Sequence, residues 1–102
     1  MYTLITAATT SKAYKVKNSL NNENIIMGDY AELPSTMLSK MMIQLPNPVL
    51  PSYAHEMLAL CLDREIDHIY PLKIEEQSQL TKAIQLFNEY GIAITPASGH
   101  QL

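Results

Sequence analysis

Residues 67–95 read DHIYPLKIEEQSQLTKAIQLFNEYGIAIT, and this stretch decides the fold. Residues 67–72 are a short, largely apolar run, which predicts a β-strand. From about residue 75 to residue 90, apolar side chains recur at helical spacing, and Gly91 stands where helices commonly end. The stripe consists of Leu80, Ala83, Ile84, Phe87 and Tyr90. Residues 92–95 predict a second strand. A strand–helix–strand unit of this kind joins parallel strands.

The same alternation extends through the rest of the chain. Further strands are predicted at residues 2–7, at 25–27 closing with Gly28 and Asp29, and at 41–45; further helices are predicted at residues 11–21 and 52–64. Residues 30–40 are irregular, apart from a short helical turn near 36–39 that Ser35 is expected to cap. The order is β-α-β-β-α-β-α-β, with five strands and three main helices. Right-handed crossovers place helices on both faces, so we expect an α/β, Rossmann-like, open doubly wound parallel sheet.

Length and composition bound the class of protein. The chain has 102 residues, of which 47% are hydrophobic, and this predicts a single domain over residues 1–102 with a normal core. Cys61 is the only cysteine, so no intrachain disulfide forms, and a buried thiol in a reducing compartment is expected. The sequence shows no signal peptide, and its longest apolar run, near residues 57–62, is too short to span a bilayer. We therefore expect a cytoplasmic protein without a membrane partner.

The charge pattern argues against nucleic-acid binding. The formal net charge is -3, and the seven basic residues are scattered apart from a loose group at Lys12, Lys15 and Lys17. Nucleic-acid binders gain most of their affinity from clustered lysine and arginine. The three lysines are interpreted as the solvated face of one helix.

The turn after the first strand is the first candidate site. Residues 7–12 read AATTSK and contain no glycine, which argues against a Rossmann dinucleotide site, and no Walker loop is present. The hydroxyls of Thr9, Thr10 and Ser11, together with Lys12, could still hold a small anion at a helix N-terminus. Plain helix capping by the same hydroxyls is the alternative.

Three acidic residues, Asp29, Glu75 and Glu76, lie at the same predicted edge, where the parallel strands end. Asp29 either binds a ligand such as a ribose or caps the loop that follows it. Glu75 and Glu76 either hold Mg²⁺ or an amine or interact with the helix dipole. Adjacent helical residues point about 100° apart, so these two carboxylates do not converge on one ion.

The remaining reactive residues form no recognisable constellation. His55, His68 and His100 share no metal-ligand spacing with Cys61, so a zinc site is rejected. No nucleophile signature is present, and the third strand ends in Gln44-Leu45-Pro46 instead of a phosphate-accepting acid. The sequence therefore predicts no catalytic residue and no metal site in this chain.

Residues 53–98 resemble the N-terminal pre-ATP-grasp domain of ATP-grasp carboxylate–amine ligases, the group that includes carbamoyl-phosphate synthase large chains. The matching pieces are Y-x3-M-L-x2-C from Tyr53, EIDHIYP from Glu65, Glu76, F-x3-G-I-x-I from Phe87, P-x-S from Pro96, and Gly28-Asp29. The chain departs from the family at Ala8-Thr9-Thr10, where a glycine-rich turn is usual, and at Ser39-Lys40, where Ala-Asp is common.

The resemblance implies half of a substrate cleft without the phosphoryl-transfer apparatus. Thr9, Asp29 and Glu76 are the positions that it places at the cleft. ATP and Mg²⁺ are expected only with an ATP-grasp domain, joined in cis or acting in trans, and the chain alone is not expected to be an enzyme.

Two other functions remain open from the sequence. The missing glycines and the broad apolar face of the second helix favour a stand-alone, non-catalytic binding or interaction module, and that face leaves a homodimer open. The third is a small nucleotide- or anion-binding domain.

Overall fold

The computed structural model describes residues 1–20 and 24–96, which form a five-stranded parallel sheet with helices on both faces. The strands are β1 (Tyr2–Ile5), β2 (Ile25–Asp29), β3 (Met42–Gln44), β4 (Ile66–Tyr70) and β5 (Ala93–Ile94). The helices are α1 (Ser11–Leu20), α2 (Tyr53–Asp63), α3 (Ile74–Lys82) and α4 (Ile84–Glu89). The sheet order is β3-β2-β1-β4-β5, and every pair is parallel. The predicted α/β, Rossmann-like architecture is confirmed.

The strand order explains why helices lie on both faces. The chain moves outward from β1 to β3, then crosses back over the sheet through α2 to β4 and continues to β5. Since crossovers are right-handed, reversing the direction moves the connecting helix to the opposite face. The order reverses beside β1, and the loops after β1, β2 and β4 meet there at the carboxyl edge of the sheet.

The core consists of two hydrophobic clusters, one on each face of the sheet. Alternate residues of β1 point to opposite sides, so Leu4 packs in the cluster with α2, α3 and α4, whereas Ile5 packs in the cluster with α1. The first cluster is larger and contains Met57, Phe87 and the thiol of Cys61. Burial raises the pKa of Cys61 to about 12, so the thiol is an inert core group, as the sequence predicts.

The predicted third main helix is in fact two helices, a correction to the sequence-based assignment. Ala83 leaves helical geometry (φ -105°, ψ 11°), and its N–H bonds to the Leu80 carbonyl in a tightened turn. Leu80 and Phe87, on either side of this break, are both fully buried in the larger cluster. The two short helices on either side of the break therefore both pack against the same hydrophobic cluster.

Other boundaries differ by a few residues. The short turn in the β2–β3 connection is a 3₁₀ helix at Ser35–Met37, preceded by Pro34, and Ser35 begins this helix instead of capping it. α2 buries only one stripe, and Leu62 is 49% exposed, so the broad apolar face is only partly covered.

Within residues 1–20 and 24–96, no helix is long and apolar enough to cross a membrane.

Candidate binding site at the carboxyl edge

The turn between β1 and α1 is closed without glycine. Ala7 adopts the left-handed conformation (φ 55°), which glycine usually supplies. Its carbonyl accepts the Thr10 N–H at 2.9 Å and the Thr10 hydroxyl at 2.7 Å. The Ala8 N–H bonds to the Gly28 carbonyl at 3.0 Å, which ties the turn to β2. Hydrogen bonds from the Thr10 hydroxyl and from backbone N–H groups thus stabilise this turn without a glycine.

Asp29 is the centre of the edge. It is fully buried at the end of β2, and Oδ2 accepts the Thr9 N–H at 3.1 Å and the Thr9 hydroxyl at 2.6 Å. Oδ1 accepts the Ala31 N–H at 3.0 Å and the Lys73 ammonium at 3.1 Å. One carboxylate therefore joins the loops that follow β1, β2 and β4.

These four donors hold Asp29 in its charged form. Burial raises the pKa of Asp29, but hydrogen bonds from Thr9, Ala31 and Lys73 together outweigh it, so its pKa lies below the ordinary value. Asp29 organises the edge, and the bond to Ala31 matches the loop-capping interpretation of this residue.

Lys73 supplies the positive charge of the site. Its side chain is 25% exposed, and its ammonium lies 4.3 Å from the centre of the Tyr30 ring. Tyr30 in turn donates its hydroxyl to Glu75 Oε2 at 2.8 Å. This bond, followed by burial and nearby negative charge, raises the pKa of Tyr30 to about 12. The solvent side of the edge thus carries an ammonium and a carboxylate that each contact the phenol of Tyr30.

Glu76 lies below this surface and is fully buried in the first turn of α3. Among the described residues, neither of its carboxylate oxygens has a hydrogen-bond partner, and the same holds for the buried hydroxyl of Tyr53. The Thr6 hydroxyl and the Lys73 N–H approach Glu76 closely enough to favour its charged form, without reaching hydrogen-bond geometry. Burial dominates and raises the pKa of Glu76 to about 7.

The structure brings only some of the predicted site residues into contact. Thr9 and Asp29 are bonded directly, and Thr10 lies one residue away with its hydroxyl committed to Ala7. Ser11 is exposed as the first residue of α1, and Glu76 is buried behind the edge.

Sequence reasoning missed three contributors to the edge. Lys73 and Tyr30 were not singled out, although Tyr30 directly follows β2 and Lys73 lies in the short loop after β4. Gln44, at the end of β3, donates to the carbonyls of Asp29 and Ala31 and accepts the Leu33 N–H, so it fixes the loop after β2. The signal that could have identified them is their position at or just after the carboxyl end of a predicted strand.

Two aliphatic side chains are unusually exposed at the same edge. Val49, in the β3–α2 connection, is 77% exposed, and Ile74, at the start of α3, is 75% exposed. Both follow strand ends, so the edge combines a polar cluster with exposed apolar groups.

No three potential metal ligands converge among the described residues. The edge offers charge and hydrogen bonds to a polar ligand. A comparison with models of protein families finds no match, and a comparison with curated proteins finds no significant relative.

Proposed function

We propose that this chain is the N-terminal substrate-cleft domain of an ATP-grasp-type carboxylate–amine ligase and is not catalytic alone. The observation that carries the proposal is the composition of the carboxyl edge, where polar groups from three loops are bonded together and two aliphatic side chains in the loops of the same edge are exposed. Together with the sequence resemblance, such an edge fits one wall of a cleft whose other wall is a second domain.

The polar part of the edge suits an anionic substrate. Lys73 presents a partly exposed ammonium that the buried Asp29 holds in place. The N-terminus of α1 opens beside Thr9, and helix N-termini favour negative charge. A carboxylate substrate would meet both positive features, with the Thr9–Asp29 bonds fixing the loop after β1 and Glu76 buried behind the edge.

The apolar part suits domain contact. Burying a side chain such as Val49 or Ile74 contributes about 2 kcal/mol. An interface that covered Val49 and Ile74 would remove both side chains from water. ATP and Mg²⁺ would be held by the ATP-grasp domain, in cis or in trans.

The test is reconstitution of activity. The coding sequence around the codon for Leu102 identifies the candidate ATP-grasp polypeptide, and ADP release is measured with carboxylate and amine substrates. We expect no turnover by this chain alone and substrate-dependent turnover when both parts are present. Ile74→Glu should weaken the combined activity, whereas Leu62→Glu, an exposed leucine at the end of α2, should not.

Turnover by the isolated chain would contradict the proposal. So would a stop codon directly after Leu102 without any ATP-grasp polypeptide that gains activity from this chain.

The second candidate is a stand-alone binding or interaction module with the same fold. The exposed Val49 and Ile74 favour it equally, since a second copy or another protein could cover them. Sedimentation velocity distinguishes the two candidates: a module that forms a homodimer through this edge would dissociate on Ile74→Glu and would gain nothing from an ATP-grasp polypeptide.

A further inference from the structure

Glu76 and Asp29 are two buried carboxylates near Lys73, and they differ greatly in the number of hydrogen bonds that they accept. Asp29 accepts four hydrogen bonds, of which only one comes from Lys73. Glu76 accepts none from the described residues. Asp29 would therefore keep three donors if Lys73 moved away, while an ionised Glu76 would keep only the weaker effects of the Thr6 hydroxyl and the Lys73 backbone N–H without the Lys73 ammonium.

The chain geometry makes the exchange feasible. Lys73 is the extended residue that precedes the first turn of α3, and Glu76 lies three positions later in that turn; these are the N-cap and N3 positions, which lie close together at a helix N-terminus. The charge of Lys73 already favours the ionised form of Glu76, so the two groups interact across the present distance. The lysine side chain is partly exposed and has a flexible stem, which allows it to reorient.

We propose that Lys73 is a proton-controlled switch at the carboxyl edge: it binds Asp29 while Glu76 is protonated and moves toward Glu76 when that carboxyl ionises. The step transfers one proton from Glu76 to solvent and exchanges one ion pair for another. It requires no movement of the sheet.

The charged and titratable groups around Glu76 are consistent with this exchange. Besides Lys73, they are Tyr53 on α2, Asp29 at the end of β2 and Tyr30 in the loop that follows. Burial and the Glu76 charge both raise the pKa of Tyr53, so its phenol stays neutral. Asp29 and Tyr30 add no positive charge, which leaves Lys73 as the one cation among these groups.

The switch would act near neutral pH. Burial raises the pKa of Glu76 to about 7, so the protonated and ionised forms are both populated there. When Lys73 leaves Asp29, its ammonium also leaves the face of Tyr30, 4.3 Å away. The exposed positive charge of the edge therefore weakens as the pH rises. This inference concerns the chain itself and holds whether or not the ligase proposal is correct.

The experiment is carboxyl-detected ¹³C NMR of the purified chain between about pH 5 and about pH 9, a range that brackets the titration of Glu76. We expect the Glu76 resonance to titrate near neutrality and the Asp29 resonance to shift with the same midpoint. In Glu76→Gln, the Asp29 resonance should stay constant over this range.

A second variant keeps the test decisive if Glu76→Gln folds poorly. Lys73→Met should raise the Glu76 midpoint by about half a pH unit or more, because it removes the compensating charge. Lys82→Met, at the last turn of α3, is the matched control and should leave the midpoint unchanged. An Asp29 resonance that ignores the titration of Glu76, or a midpoint insensitive to Lys73→Met, would overturn the switch.

Discussion

The sharpest prediction concerns the pH dependence of stability and the variant Glu76→Gln. The ordinary pKa of a glutamate is 4.5, whereas burial raises the pKa of Glu76 to about 7 in the folded protein. Below the ordinary value the carboxyl is protonated in both states and contributes no pH dependence. As the pH rises from there toward 7, the unfolded chain releases the proton while the folded chain retains it, so stability falls and then levels off.

The size of the loss follows from the shift in pKa. Because each pKa unit corresponds to 1.36 kcal/mol, the free energy of unfolding should decrease by about 3 kcal/mol across this window. A glutamine cannot ionise, and any cost of burying its amide does not depend on pH. The stability of Glu76→Gln relative to the natural chain should therefore rise by about 3 kcal/mol from acid to neutral pH.

Urea unfolding followed by circular dichroism, repeated from about pH 4 to about pH 8, measures this difference. His68 also has a shifted pKa, lowered by burial against the opposing charge of Asp67, but it is present in both proteins and cancels in the difference. Glu75→Gln is the matched control, since it removes the neighbouring exposed carboxylate. A flat difference for Glu76→Gln, or one equal to that of Glu75→Gln, would refute the reasoning.

Three further predictions concern stability, each measured by the same urea unfolding. Asp29→Asn should lower the free energy of unfolding by about 2–4 kcal/mol near pH 7, because the asparagine NH2 group cannot accept the hydrogen bonds that one carboxylate oxygen accepts and the Lys73 ammonium loses its ion pair. An unchanged urea midpoint would contradict the role of Asp29 in joining the three loops. Gly28→Ala should lose about 1–3 kcal/mol, since a Cβ there lies 2.8 Å from the Leu45 side chain and 2.9 Å from a backbone oxygen; a neutral result would mean that this packing relaxes freely. Glu65→Gly, at an exposed site with φ 58°, should raise the free energy of unfolding by about 1 kcal/mol. Gly91→Ala (φ 75°) should lower it by about 1 kcal/mol, although the added Cβ meets no atom within 4 Å. Changes in the same direction for both variants would be inconsistent with backbone strain as the cause.

The architecture was predictable because hydrophobic periodicity reports local structure directly. Residues 67–95 indicated a strand–helix–strand unit, and the structure places α3 and α4 between β4 and β5 in parallel. The break at Ala83 was missed because the helical stripe continues through it, from Leu80 to Phe87, without a change of spacing. Periodicity records which face is buried and is insensitive to one residue leaving helical geometry.

The site was less predictable, since its contacts join distant parts of the chain. Asp29 was identified from its place at a strand end, but its bonds to Thr9 and Lys73 depend on the sheet order. The sequence left Glu76 either as a ligand-binding carboxylate or as a partner of the helix dipole, and neither alternative included full burial, which is rare for glutamate. Its burial follows from the packing of α3 beside α2, which sequence spacing alone does not specify.

The most direct test of the central claim, that the carboxyl edge is the functional face, is hydrogen–deuterium exchange of this chain with and without the candidate ATP-grasp polypeptide that the proposed function requires. We expect protection in the loops that carry Val49 and Ile74, with little change at the opposite edge around Arg64. Protection confined to that opposite edge, or no protection while ATP turnover is restored, would contradict the claim.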